Sequence, residues 1–161
     1  MSRHKISVSV NGKIYKSTVE SRTTLLDFLR TQLALTGTHV GCEHGVCGAC
    51  SILYEGMPVR SCSLLAVQAN DKQITTVEGL CNADGSPGIL QDAFCEAHAM
   101  QCGYCIPGML VSAYALLAKN PTPSLAEIKD SIGGNLCRCT GYVQIIEAIQ
   151  LAAQRLQKNL L

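Results

Sequence analysis

Eight of the ten cysteines in this 161-residue chain fall into two groups of four, and each group has the spacing of an iron–sulfur ligand set. Cys42, Cys47, Cys50 and Cys62 read C-x4-C-x2-C-x11-C, while Cys102, Cys105, Cys137 and Cys139 read C-x2-C-x31-C-x-C. The first three match the run that wraps a plant-type 2Fe–2S cluster. Such a cluster needs four anionic sulfurs and little else, so two complete sets imply two redox centres in one short chain. The chemistry that follows is electron transfer.

Other uses of cysteine compete with this reading. A disulfide framework needs an oxidising compartment, and Met1-Ser2-Arg3-His4-Lys5-Ile6 lacks the apolar run of a secretory signal. Zinc takes the same thiolate ligands. Gly41, Gly45 and Gly48 disfavour it in the first group, because glycine lets backbone N–H groups approach cluster sulfurs closely. The second group, on spacing alone, leaves zinc open. A Rieske centre needs two C-x-H halves. Cys42-Glu43-His44 offers one, and Cys47-Gly48-Ala49-Cys50 supplies no second histidine.

Thirteen basic against twelve acidic residues give a net charge of +1, which predicts no nucleic-acid surface. The longest nearly apolar stretch, Met109 to Ala118, is interrupted by Ser112 and falls short of the ~20 residues that span a bilayer. A soluble chain with no membrane span is expected. Yet 47% hydrophobic and only 16% charged residues, with a mean hydropathy of +0.19, exceed what a free-standing small carrier needs on its surface. Buried subunit interfaces account for the surplus.

The N-terminal half reads as a small α+β unit. Ile6, Val8 and Val10 alternate with polar residues, Asn11-Gly12 is a two-residue hairpin signal, and Ile14 to Val19 returns as a second strand. Thr24 and Asp27 cap a helix carrying Leu25, Leu26, Leu29 and Leu33, which is expected to cross the hairpin. Ser51–Glu55 and Val59–Ser61 flank Gly56-Met57-Pro58 as another hairpin, with Gln73–Val77 as the last strand. This is the element order of a plant-type ferredoxin.

The period then changes. Residues 82–88 form a linker, and the remainder reads as helical. Ile89 to Ala97 and Met109 to Leu117 make two apolar stripes. Pro121 and Pro123 stop the second, Ser124-Leu125-Ala126-Glu127 caps a short third that Gly133-Gly134 ends, and Val143 to Leu156 stripes a fourth. The expected fold class is α+β: residues 1–81 a plant-type ferredoxin-like β-grasp domain, residues 82–161 an all-α four-helix bundle domain. Cys102 and Cys105 precede Pro107, and Cys137 and Cys139 precede the helix opening near Tyr142. Both pairs therefore belong at positive helix N-termini, which suit an anionic cluster, and Arg138 adds a cation.

Three segments carry a family resemblance: Gly41-Cys42-Glu43-His44-Gly45-Val46-Cys47-Gly48-Ala49-Cys50, Gln101-Cys102-Gly103-Tyr104-Cys105-Ile106-Pro107-Gly108-Met109, and Gly134-Asn135-Leu136-Cys137-Arg138-Cys139-Thr140-Gly141-Tyr142. Together they resemble the small iron–sulfur subunit of the xanthine oxidase family of molybdenum hydroxylases. The resemblance implies two 2Fe–2S clusters as cofactors and an electron-transfer subunit that is not itself catalytic. It implies a large subunit holding molybdopterin, and a medium FAD-binding subunit or a cytochrome acceptor. It further implies a dimer of such heterotrimers, located in the cytoplasm.

By the same resemblance the cluster on Cys102, Cys105, Cys137 and Cys139 lies beside the pterin, with Gln101 and Cys139 contacting it. The cluster on Cys42, Cys47, Cys50 and Cys62 lies toward the flavin, which the loop around His44 faces. Ile106 departs from the family, where threonine is usual. Cys81 and Cys95 belong to neither set, and His4, His39 and His98 lack ligand spacing. A free two-cluster ferredoxin is the alternative reading. The substrate is not legible, because it binds the large subunit.

Overall fold

In the computed structural model, which describes residues 2–158, Asn11 and Gly12 take left-handed dihedrals (φ 51° and 78°). That geometry matches the twist of the flanking strands. It closes β1 (Arg3–Val10) onto β2 (Lys13–Glu20) in antiparallel register, with Val10 opposite Lys13. The inward residues Ile6, Val8, Val10 and Val19 are all buried. β3 (Ser51–Tyr54), β4 (Met57–Arg60) and β5 (Gln73–Thr75) complete a five-stranded sheet of order β2-β1-β5-β3-β4. The β1–β5 pair is parallel and the others antiparallel.

The second hairpin turns earlier than the sequence pattern predicts. Glu55 and Gly56 (φ 51° and 80°) make the turn, and Met57 and Pro58 belong to β4. A proline is tolerated there because β4 is an edge strand with one unpaired side. β5 stops at Thr75, and Val77–Leu80 forms a 3-10 turn instead. Val77 and Leu80 pack against the helical core.

Thr24 caps α1 (Leu25–Asp27) by accepting the Asp27 N–H at 3.0 Å. The expected helix continues only as a wider π segment, Phe28–Gln32. Phe28 and Leu29 are fully buried against the sheet beside Ile52 and Ile74. Arg30 donates to the carbonyls of Thr36 and Thr38, both at 2.7 Å, and so ties down the chain leading to the first cysteine group.

The 82–88 segment is an ordered loop: Asn82 donates to Ser86 Oγ and the Pro87 carbonyl, and Asp84 accepts from Ser86. The helices are α2 (Ile89–Glu96), α3 (Ile106–Lys119), α4 (Leu125–Ile132) and α5 (Val143–Lys158). A second core gathers Phe94, Met109, Ile128, Ile145 and Ile149 from all four. α4 begins with a capping box between Ser124 and Glu127, as its sequence pattern predicts. Pro107 occupies the second rather than the first helical position of α3, because Ile106 already joins the helix and is buried in this core. Among the described residues, no helix is long and apolar enough to cross a membrane.

Candidate metal centres

Glu43, Gly45 and Gly48 hold positive φ (58°, 85° and 76°), so the 41–50 loop curls and turns its amides inward. Such concavities favour anions. The Cys47 N–H lies 3.4 Å from Cys42 Sγ. Backbone N–H groups of Cys47, then His44, hold the Cys42 thiol down at about 6, in the range where a thiol ionises near neutrality. Gly41 matters here by size: a Cβ would lie 2.7 Å from Cys47 Sγ. His44 turns Nδ1 to the Cys42 carbonyl, so it is a loop brace.

Cys50 is buried in the turn immediately before β3, and Cys62 lies in the 3-10 turn that follows β4. Ser51 pairs with Arg60 across the hairpin, while Ser61 binds the Cys50 carbonyl through N–H (3.2 Å) and Oγ–H (2.8 Å). Those bonds set the two thiols side by side. Burial, and then the neighbouring Cys62 side chain, push the Cys50 thiol up.

In the helical half, Cys105 is the residue at the N-terminus of α3, and Cys102 precedes it across Gly103 (φ 80°). Cys137 and Cys139 lie in the segment between α4 and α5. The Cys139 and Cys102 sulfurs are 3.5 Å apart. Cys105, pushed up to about 12 by burial and then by its contact with Cys137, forms the other pair. The Cys137 N–H donates to Tyr142 Oη at 2.9 Å, and its sulfur meets Thr140 Oγ1 at 3.2 Å. Gln101 donates Nε2–H to the Cys139 carbonyl at 3.1 Å. Arg138 is exposed.

The thiols thus meet in pairs: Cys42 with Cys47, Cys50 with Cys62, Cys102 with Cys139, and Cys105 with Cys137. Among the described residues, no three His, Cys, Asp or Glu side chains converge to hold a single ion. A two-iron cluster needs two thiolates per iron, and the pairs fit it at both sites. Cys81 and Cys95 are exposed and join neither set; Cys81 Sγ accepts from Gln91 Nε2 at 3.3 Å.

The sites are also bound to each other, which residue spacing does not reveal. Leu136 donates its N–H to the Cys47 carbonyl at 2.9 Å. Buried Asn135 donates Nδ2–H to the Gly48 carbonyl (3.0 Å) and Ser51 Oγ (3.3 Å), and accepts from Ser112 Oγ (2.9 Å). Arg60 bridges Ser51 Oγ and the Gly134 carbonyl, both at 2.6 Å. Tyr104 donates its hydroxyl to the Val40 carbonyl, and His39 Nδ1 meets the Tyr104 carbonyl at 2.8 Å. Tyr104, Asn135 and Leu136 lie in the segments that carry the family resemblance, but their partners across the two sites are not legible from spacing.

Family models agree with this two-site geometry. A 2Fe-2S iron-sulfur cluster binding domain matches residues 8–83, and a second 2Fe-2S binding domain matches residues 76–150. The caffeine dehydrogenase subunit gamma of Pseudomonas sp. (strain CBB1) is 57% identical over 153 residues, covering 93% of this chain and 91% of that one. The nicotine 6-hydroxylase small subunit of Paenarthrobacter nicotinovorans is 51% identical over 147 residues, covering 91% and 88%. The crystal structure of quinoline 2-oxidoreductase from Pseudomonas putida 86 superposes with a TM-score of 0.92 at 48% identity, covering 99% of each chain.

Proposed function

This chain belongs to the family of small iron–sulfur subunits of xanthine oxidase-type molybdenum hydroxylases, and we propose that it relays electrons from the molybdopterin side, through its helical half and then its ferredoxin-like half, to an FAD-binding subunit. It is the electron-transfer subunit of an oxidoreductase complex. Each 2Fe–2S cluster supplies a one-electron redox step. We assign Cys42, Cys47, Cys50 and Cys62 to one and Cys102, Cys105, Cys137 and Cys139 to the other. The observation that carries the reading is the pairing of all eight thiols at two sites joined by the Cys47–Leu136 hydrogen bond.

The direction follows the family resemblance, and exposure at both ends suits it. Cys102 and Cys139 are exposed, and Met100, Tyr104, Leu136 and Val143 leave apolar surface uncovered around them. We place the molybdopterin subunit there, with Gln101 and Cys139 at the pterin. Val46 at the tip of the first cysteine loop is 60% exposed, which suits a flavin-side partner. No residue of this chain is assigned a catalytic role. We infer a dimer of heterotrimers from the family resemblance, and a cytoplasmic location because free thiols persist in a reducing compartment.

For the fold we propose a β-grasp unit followed by a four-helix bundle. The sheet crossed by α1 supports the first, and the shared core of α2 to α5 supports the second. The boundary at 81/82 falls within residues 76–83, where the two family matches overlap. Caffeine, nicotine and quinoline, the compounds in the relatives' names, are nitrogen heterocycles. We extend that substrate class to the complex this chain serves.

Purifying the native complex tests the reading. The chain is expected to elute with a molybdopterin-binding and an FAD-binding subunit, and to turn over no substrate by itself. Isolation as a free carrier, or turnover by the chain alone, overturns it.

A further inference from the structure

We infer that Asn135 is a positioning residue that sets the spacing between the two cluster sites. The inference rests on the two-cluster reading above. Asn135 ligates nothing, yet it stands where three elements meet: the first cysteine loop, α3 and the segment entering Cys137.

Every polar atom of Asn135 is engaged. Its side chain donates to the Gly48 carbonyl and Ser51 Oγ on one side, and takes the Ser112 hydroxyl on the other. Its N–H closes on the Ile132 carbonyl at 2.9 Å, and its carbonyl accepts from Tyr142 Oη at 3.2 Å. Tyr142 Oη in turn receives the Cys137 N–H. The residue is 1% exposed, so a missing partner would leave a buried polar group unpaired.

The surrounding backbone leaves no slack. A Cβ on Gly48 would lie 2.5 Å from the Gly134 carbonyl, and one on Gly108 would lie 2.3 Å from the Gly48 carbonyl. Two glycines bring the first cysteine loop into contact with α3 and with the segment entering Cys137, and Asn135 fixes the register of that contact. Leu136, the next residue, then meets the Cys47 carbonyl, and Cys137 follows. A fully satisfied buried polar network of this kind specifies one geometry where an apolar contact would tolerate several. The asparagine thereby holds a ligand of one site at a fixed place relative to a ligand of the other.

The test compares Asn135→Leu, which keeps the branched side-chain skeleton but is bulkier and lacks hydrogen-bonding groups, with wild type in the assembled complex. Iron content and the signals of the separate reduced clusters report whether both centres are built, which is the two-cluster reading. Three further readouts report the role of Asn135: amide hydrogen exchange at Leu136, spin–spin splitting between the reduced clusters, and the rate of electron transfer between them. With both clusters retained, exchange at Leu136 is expected to accelerate and the splitting to change. The rate of electron transfer between the clusters is expected to fall, because a wider or shifted gap between the two sites weakens the coupling that carries the electron.

Should Asn135→Leu fail to assemble, Ser112→Ala decides. It removes only the hydroxyl that pins Asn135 Oδ1 and should produce the same changes in smaller measure. A fully loaded variant with unchanged exchange, splitting and rate overturns the proposal. If wild type itself holds fewer than two clusters, the family-based reading fails instead.

Discussion

The Cys47 carbonyl accepts the Leu136 N–H at 2.9 Å, so one hydrogen bond and one peptide separate a proposed ligand of the first site from Cys137 at the second. Two sites joined this closely belong to one folded unit. Loading or stripping either is expected to be felt by the other.

Metal content follows from the pairing of thiols. The purified chain is expected to carry about four irons and to give two separable paramagnetic signals on reduction. Stripping the iron should lower the unfolding temperature, because binding to the folded state alone stabilises it by mass action. Elemental analysis, electron paramagnetic resonance and thermal melts before and after chelation check this. Stoichiometric zinc contradicts it.

Gly108→Ala sets helix propensity against packing. Alanine is favoured over glycine inside a helix by about 1 kcal/mol. At this position the new methyl would lie 2.3 Å from the Gly48 carbonyl and 2.7 Å from Asn135 Nδ2. Overpacking of a filled site costs about 1–3 kcal/mol, and the backbone carbonyl cannot swing aside as a flexible side chain would. The variant is therefore expected to be less stable than wild type in denaturant titration. A gain in stability would mean that the two halves separate readily.

Glu127 supplies a pH-dependent element. Ser124 donates to its carboxylate through N–H (2.8 Å) and Oγ–H (2.7 Å), which holds the group below the usual glutamate range. With the folded value depressed, the contribution is fully present above the ordinary value of about 4.3 and is lost as pH falls through the folded value. Glu127→Gln is expected to weaken the α4 cap at pH 7 and to flatten stability against pH below about 4.3. Denaturant titrations of both proteins across that window provide the check.

Much of this was legible in the chain because local chemistry decided it. Asn11-Gly12 can close only a tight hairpin, and Ser124 with Glu127 can cap only a helix start. The proposed ligand cysteines stand out by spacing. What escaped was set by tertiary contact. The π segment at Phe28–Gln32 arises where Phe28 and Leu29 must both enter the core, and β5 ends early because Val77 and Leu80 serve the helical half. Pro58 misled because its edge position is invisible before the strand order is known. Asn135, Arg60 and Tyr104 matter through partners 60 to 90 residues away, and no local pattern announces such pairs.

The order of the centres is open to a direct kinetic test. Serine oxygen is a harder, poorer ligand than thiolate, so Cys47→Ser perturbs the ferredoxin-like site and Cys139→Ser the helical one. With the helical site nearer the pterin, substrate added to the Cys47→Ser complex is expected to reduce molybdenum and the helical cluster, while flavin reduction slows. In the Cys139→Ser complex, neither cluster is reduced quickly. Gln101→Ala is the control for a lost pterin contact, since it leaves all four thiolates in place. It also releases the Cys139 carbonyl, held by Gln101 Nε2 at 3.1 Å, so its signal reports that anchor together with the pterin. Rapid-mixing absorbance of each assembled variant separates the steps. If Cys47→Ser leaves its own cluster reducing normally but silences the helical one, electrons enter at the ferredoxin-like end and the proposed order is reversed.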